Sequence, residues 1–431
     1  MSARPATHAM FSHYSHNLRR QIQRVIEDSA CIFEQDRPTP LSKLTGGNRT
    51  KWAKARAHLK ELDPQNEKSL EIVERAILHI SLDQSSPESL ADRAKVALHG
   101  DGSNKWFDKP LTLVQFKNGK GGSNGEHTWA DAMVIVKAFD VAMDMVMEHL
   151  KTNKPPRMPT AADMASPSLP RPTERVFKLD SHMIGAVEEA SADLAELIST
   201  VDLDVLEFDH FGKDFFRRYR LMADSVCQMA IQLAYSRLHP GDVAPTYESA
   251  HTRLFYRGRT ETIRTTCNES VAFCAAMNDD KASAKDKFEA LQAAMKAHRD
   301  IAKDALMAQG VDRHMLGLYI VAQMSGADPL PSIFSDKAFK GSRYYKLSTS
   351  NISMKSSPMF GGFMAMYPDG YGICYCIRNE SLKFSITANN SDSSTSASNM
   401  RGALSKALVD IQRLCLTRSV IYVTGGSSSK L

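Results

Sequence analysis

The chain has 431 residues, 42% of them apolar, and carries 54 Lys and Arg against 49 Asp and Glu for a formal net charge of +5. That length can bury a large core and predicts two domains, and the composition excludes a chain that is disordered throughout. No dense Lys/Arg block with interleaved aromatics is present, so the mild positive balance points away from nucleic acid and toward a small polyanionic ligand. Seven cysteines (Cys31, Cys227, Cys267, Cys274, Cys374, Cys376, Cys415) are scattered without CxxC spacing, which predicts no disulfide framework, no metal site and a reducing compartment. No apolar stretch approaches a membrane span and the N-terminus lacks a secretory signal, so a soluble chain without a transmembrane segment is expected.

In chain order, apolar residues at helical spacing predict helices over 18–26 and 67–80, and 111–116 reads as a short strand closed by the turn Asn118-Gly119-Lys120-Gly121-Gly122. Met133, Val136, Phe139, Met143 and Met147 predict a long helix with a buried face, its methionines in the core. The proline-rich residues 154–175 read as an interdomain linker. Beyond them, 205–211 alternates like a strand, 222–239 reads as a helix, and 286–308 as a long helix stopped by Gly310. Strands are predicted over 372–377 and 382–387, a helix over 397–415 and a last strand over 420–423. Strands and helices mix without a repeat, which is α/β or α+β, and no Gly-rich dinucleotide or P-loop fingerprint joins a strand to a helix. The terminal Ser429-Lys430-Leu431 is the tripeptide read by the peroxisomal import receptor, and predicts a peroxisomal location.

The chemistry centres on Glu126-His127-Thr128-Trp129 followed by Asp131. If the run is helical, an imidazole and a carboxylate four residues apart share one face. A carboxylate bound to one ring nitrogen fixes the tautomer that lets the other take a proton, so His127 is the candidate general base.

Several separated motifs then align with one family. Leu44-Thr45-Gly46-Gly47-Asn48-Arg49, Trp106-Phe107-Asp108-Lys109, Glu126-His127, Thr246-Tyr247-Glu248-Ser249-Ala250, Gly258-Arg259-Thr260-Glu261-Thr262-Ile263-Arg264, Asp312-Arg313-His314, Leu347-Ser348-Thr349-Ser350 and Asp369-Gly370-Tyr371-Gly372 follow one another in an order that resembles the carnitine and choline acyltransferases. The resemblance implies an α/β, two-domain CoA-dependent acyltransferase fold of chloramphenicol-acetyltransferase type. Residues 1–165 would be the remaining part of the N-terminal catalytic domain and 166–431 the C-terminal domain. It implies a carnitine O-acyltransferase with acyl-CoA and carnitine as substrates, no bound cofactor, and coenzyme A and carnitine entering a shared tunnel from opposite ends.

The resemblance also implies site residues. His127 matches the catalytic base, Asp131 the acid that orients it, and Ser350 the donor to the oxyanion of the tetrahedral intermediate. Tyr247, Thr260 and Arg313 match ligands of the carnitine carboxylate, Ser348 lines the same pocket, and Phe363 matches an aromatic near the trimethylammonium group. Arg313 favours carnitine over choline, which has no carboxylate to neutralise and whose enzymes carry an uncharged amide there. Arg264 reads as structural. Lys213, Arg217 and Asp224 match coenzyme A contacts. Gly361 aligns with a position closed by a bulky residue in acetyl-specific relatives, so an empty acyl pocket and a medium- to long-chain preference are expected.

Full-length relatives carry a substantial region ahead of the position of Met1. An N-terminally truncated fold with missing strands and exposed apolar surface is therefore expected, with a catalytically inactive acyl-CoA-binding remnant as the alternative to an enzyme.

Overall fold

The computed structural model describes residues 5–30, 38–152, 160, 162, 164 and 170–424. Most of the expected linker, and the Ser429-Lys430-Leu431 tripeptide, lie outside the described residues. In chain order the elements are α1 (Pro5–Ala30), α2 (Ser42–Thr45), α3 (Arg49–Leu62), α4 (Pro64–Arg75), β1 (His79–Asp83), α5 (Leu90–Leu98), β2 (Leu111–Phe116), β3 (Gly121–Gly125), α6 (Ala132–Thr152), α7 (Ser181–Ser199), β4 (Val201–Phe208), α8 (Lys213–Arg218), α9 (Ala223–Leu238), β5 (Thr246–His251), β6 (Thr260–Ile263), α10 (Asn268–Asn278), α11 (Ala284–Leu306), α12 (Asp312–Met324), α13 (Ser332–Ser335), α14 (Lys337–Ser342), β7 (Leu347–Asn351), β8 (Tyr371–Ile377), β9 (Leu382–Asn389) and α15 (Ala397–Thr424). They form two compact units: Met1–Glu88 with His99–Ala130 and Lys137–Ile198, and Ser89–Leu98 with Asp131–Val136 and Ser199–Leu431.

In the first unit, β2 pairs in parallel with β1 and antiparallel with β3. Thr112, Val114 and Phe116 alternate inward along β2, the period-two pattern of a half-buried strand. Two of the segments that carry the sequence motifs interlock beside this sheet. Asp108 accepts from the Trp52 indole at 2.7 Å and from Arg49 at 2.5 Å, and the Phe107 N–H donates to Thr45 Oγ1 at 2.9 Å. Lys109 donates to the carbonyls of Val73, Glu74 and Ala76, at and just past the end of α4 where helical partners run out. That anchor lies where the helix expected over 67–80 stops, at Arg75, and the chain turns into β1.

The second unit is a six-stranded sheet in the order β4-β9-β8-β7-β5-β6. β8 and β9 are buried on both faces, which suits central strands. α9 is buried all round from Ser225 to Tyr235 and packs with α15 in the main core. α11 is amphipathic, with Phe288, Leu291, Ala294, Met295 and His298 turned inward, and it starts at a capping box in which Ser283 and Asp286 satisfy each other's backbone N–H.

Two expectations fail. α6 is a helix, but its methionines are not core: Met133 is 38% and Met147 49% exposed, and of the five residues of the expected stripe only Val136 is buried. Lys137, Asp140, Asp144, Glu148 and Lys151 recur at helical spacing along one side of α6, so the period is clear, but the apolar remainder of the helix stays largely exposed. The strand expected over 420–423 is instead the end of α15. An established helix gains a hydrogen bond for each residue it adds, and none of the described strands pairs with 420–423. The core argument is checked by Leu404→Ala, a fully buried position on α15, which is expected to cost about 2–5 kcal/mol in denaturant unfolding.

Candidate active site

Side chains on paired strands point the same way at matched positions, so register decides which residues share a face. Tyr247 pairs with Ser348, Ser348 with Gly372, Ser350 with Cys374, His251 with Thr260 and Ser249 with Thr262. One face of β5, β6 and β7 therefore carries Tyr247, Ser249, Thr260, Thr262, Ser348 and Ser350, a surface paved with hydroxyls. The neighbouring part of that face is apolar. There Cys374 packs with Ile352, Val136, Met354 and Phe363, and the segment bearing Phe363 is tied down by Thr387 Oγ1 donating to its carbonyl at 2.8 Å. Ser350 stands between the two. Burial pushes the Cys374 thiol well up, so it stays protonated and is no nucleophile.

Arg313 stands beside this hydroxyl face. Its Nη2 lies 3.4 Å from Tyr247 OH and its guanidinium 5.5 Å from the centre of the Tyr247 ring. The start of α12 holds it there. Glu261 accepts from the Arg313 backbone N–H, and a Cβ at Gly310 would come within 2.5 Å of Glu261 Cγ, so only glycine fits. Asp312 is taken by Arg264 and by Tyr345 OH, and Arg264 lies over the Tyr345 ring. Arg264 is thus a brace, as read from the sequence. Arg313 reaches Asp312 only at 3.9 Å and keeps its donor fork available.

The opposite face of the same strands is buried and polar. Glu248 accepts from Thr265 at 2.9 Å and bonds His298 Nε2 at 2.7 Å, and His298 Nδ1 meets Ser225 Oγ at 2.8 Å. Asp224 accepts from Asn351 at 2.8 Å and from Tyr375 OH at 2.7 Å, while Gln228 donates to Thr349 at 3.0 Å. Among the described residues, Asp224, Glu248 and His298 bring metal-capable atoms within 4.8 Å of one another. Both ring nitrogens, Glu248 Oε2 and Asp224 Oδ1 are engaged in these hydrogen bonds. Sequence reading missed Glu248 and His298. The available signal was parity: in Thr246-Tyr247-Glu248 the charged residue must face opposite to Tyr247, hence inward.

The other expected positions are spread over the two units. His127 lies in the first, exposed, in a bend that Glu126 closes by accepting from the Thr128 N–H and hydroxyl. The bend precedes α6, so the helical pairing with Asp131 is not formed; Asp131, in the second unit, forms an ion pair with Arg259 at 3.0 Å. Lys213 and Arg217 are exposed one turn apart on α8, Arg217 paired with Asp214 at 3.1 Å. Gly361 does not face the empty volume expected of it. A Cβ there would meet Ile352 Cδ1 at 2.0 Å, so the tip of that flexible side chain fills the space.

With this geometry in place, the pattern of known choline/carnitine O-acyltransferases matches residues 9–406. The chain belongs to the choline/carnitine O-acyltransferase family. It is 35% identical over 390 residues to carnitine O-acetyltransferase of Rattus norvegicus, covering 88% of this chain and 60% of that protein. It is 33% identical to choline O-acetyltransferase of Rattus norvegicus (93% of this chain, 62% of that protein), and 33% identical to peroxisomal carnitine O-octanoyltransferase of Bos taurus (92% and 64%). The chain therefore spans about 60% of the length of the carnitine O-acetyltransferase it matches. Among solved structures, a wax ester synthase/diacylglycerol acyltransferase from Marinobacter aquaeolei VT8 overlays at a TM-score of 0.33 with 8% identity, covering 79% of this chain and 80% of that one, too loosely to carry an argument. Family membership fixes the fold class as the α/β CoA-dependent acyltransferase type, and no helix among the described residues is long and apolar enough to cross a membrane.

In this family member the buried pair makes stability depend on pH. Burial pushes Glu248 up against the opposing pull of His298. Burial pulls His298 down, but the hydrogen bond and charge of Glu248, with Asp224 behind it, outweigh this and leave it raised. Both groups hold a proton more tightly folded than unfolded, so their contribution is full at low pH and is lost as pH rises through the raised values. Denaturant unfolding is expected to show lower stability at about pH 9 than at about pH 6, on either side of the ordinary histidine range. The difference should shrink in Glu248→Leu/His298→Leu, and a wild-type midpoint that rises over this range would contradict the assignment.

Proposed function

We propose that this chain is a carnitine O-acyltransferase that moves a medium- or long-chain acyl group between coenzyme A and the carnitine hydroxyl. The observation that carries this reading is Arg313 with Tyr247, placed beside a hydroxyl-paved sheet face that adjoins an apolar patch. A zwitterion with a carboxylate and a hydroxyl needs a permanent cation and neutral donors, and an acyl chain needs a dry apolar neighbour.

His127 would take the proton from the carnitine hydroxyl, or in reverse from the coenzyme A thiol. The oxygen then attacks the thioester carbonyl directly, and no acyl-enzyme forms. A positioned base of this kind contributes roughly 10²–10⁴ in rate. Asp131 would orient the imidazole, Ser350 would donate to the oxyanion, Thr260 and Ser348 would complete the carboxylate pocket, and Phe363 would face the trimethylammonium group. Lys213, Arg217 and Asp224 would hold coenzyme A. Peroxisomal import through Ser429-Lys430-Leu431 is part of the proposal, supported by the tripeptide and by the peroxisomal octanoyltransferase among the relatives.

One observation favours a second reading, a binding protein without turnover: the Asp131 carboxylate is taken by Arg259. Thiol release from octanoyl-CoA with and without carnitine decides between them. Carnitine-dependent release is expected, abolished in His127→Ala, and with KM for carnitine raised about ten- to hundredfold in Arg313→Asn, the cost of a lost charged hydrogen bond. Carnitine-independent behaviour would leave the binding reading.

Chain length is a separate test. The Gly361 hollow is filled by Ile352, so a longer side chain there must displace Ile352 into the apolar patch. Gly361→Met is expected to shift kcat/KM from octanoyl- toward acetyl-CoA, and an unchanged chain-length profile would remove Gly361 from the argument.

A further inference from the structure

The buried Glu248–His298 pair lies beside Asp224 on the side of β5 away from Tyr247 and Ser348, and neither residue of the pair has a part in the proposed reaction. Its energetics make it a poor choice for stability alone. Two ionisable groups exposed by only 2% and 4% of their side chains lose most of their hydration, and an apolar pair of similar volume would serve a core at least as well. Something other than stability has to account for the placement.

The strand pairing supplies a reason. β5 is joined to β7 by three matched positions only, Thr246 with Leu347, Tyr247 with Ser348 and Glu248 with Thr349. So short a parallel ladder specifies register weakly, and a slip of one residue would turn Tyr247 into the core and Glu248 onto the open face. Against that slip stand contacts that only one register allows. Glu248 reaches His298 on α11 and Thr265, Thr246 accepts from Gln232 on α9, and Thr349 donates to the Tyr247 carbonyl. The ionisable pair is the most discriminating of these, since a displaced Glu248 would leave His298 buried without its partner. His298 is in turn fixed through Nδ1 by Ser225 at the start of α9.

We infer that Glu248 and His298 are positioning residues, locking β5 in the register that presents the Tyr247 hydroxyl to Arg313 and so setting affinity for the carboxylate of the acyl acceptor. The effect on affinity rests on the carnitine reading above; the effect on register does not.

The test is the double variant Glu248→Leu/His298→Leu in the full chain, with Glu248→Gln as the conservative companion. The double variant is expected to fold with an unfolding midpoint at about pH 6 no lower than wild type. It should nevertheless raise KM for carnitine about tenfold, leave KM for octanoyl-CoA within about twofold, and lose amide-exchange protection over 246–249 and 347–349. Glu248→Gln, which keeps shape and one hydrogen bond, should recover most of the protection. Wild-type KM and wild-type exchange in the double variant would overturn the inference. A double variant that fails to fold, with Glu248→Gln fully protected and unchanged in KM, would also overturn it, because the pair would then be structural only. If the wild-type chain shows no carnitine-dependent turnover, the functional reading falls while exchange still decides the register claim.

Discussion

A β-strand turns successive side chains to opposite faces, and the second unit is organised around that constraint at β5 and β7. On one face of these strands lie Tyr247, Ser348 and Ser350; on the other, one residue out of phase, lie Glu248, Thr349 and Asn351, each held by a helix or by a group tied to one. The helices α9 and α11 therefore do more than cover apolar surface. Gln228, Gln232, Asp224 and His298 read the strands residue by residue, and the amide N–H groups of α9, buried all round, find partners on Thr349, Tyr375 and Thr246.

The same logic separates binding groups from braces around Arg313. Arg264, Asp312 and Tyr345 satisfy one another, and Glu261 caps the start of α12. These contacts leave a single guanidinium beside Tyr247, a cation fixed by its backbone rather than by an acid that would neutralise it. In the first unit the motifs at Leu44–Arg49 and Trp106–Lys109 turn out to hold each other and the end of α4.

Much of the fold was legible because local patterns and tertiary environment agree. The alternation in 111–116 and the length of 286–308 marked β2 and α11 to within a few residues. Where they disagree the sequence misleads. The run 420–423 has strand propensity yet continues α15, and α6 has a clear helical period whose apolar side is nevertheless left largely exposed. At the site, the motifs shared with the acyltransferase family pointed to Arg313, Tyr247 and the Ser-Thr-Ser strand. They could not identify the bend at His127, which depends on Glu126 closing on Thr128, nor Ile352 filling the space beside Gly361. His298, fifty residues from Glu248 in sequence, becomes meaningful only once α11 lies against β5.

The β5–β7 pairing is parallel, and the chain between these strands runs through five helices and β6 before it returns. Contacts so far apart in sequence form slowly, because loop closure must be completed before any contact compensates for it. During synthesis Tyr247 emerges about a hundred residues ahead of Ser348, and β8 and β9, which complete the sheet, emerge later still. The pocket chemistry is thus among the last features a nascent molecule acquires, and until then β5, paired with β6 on one side, presents its other edge open.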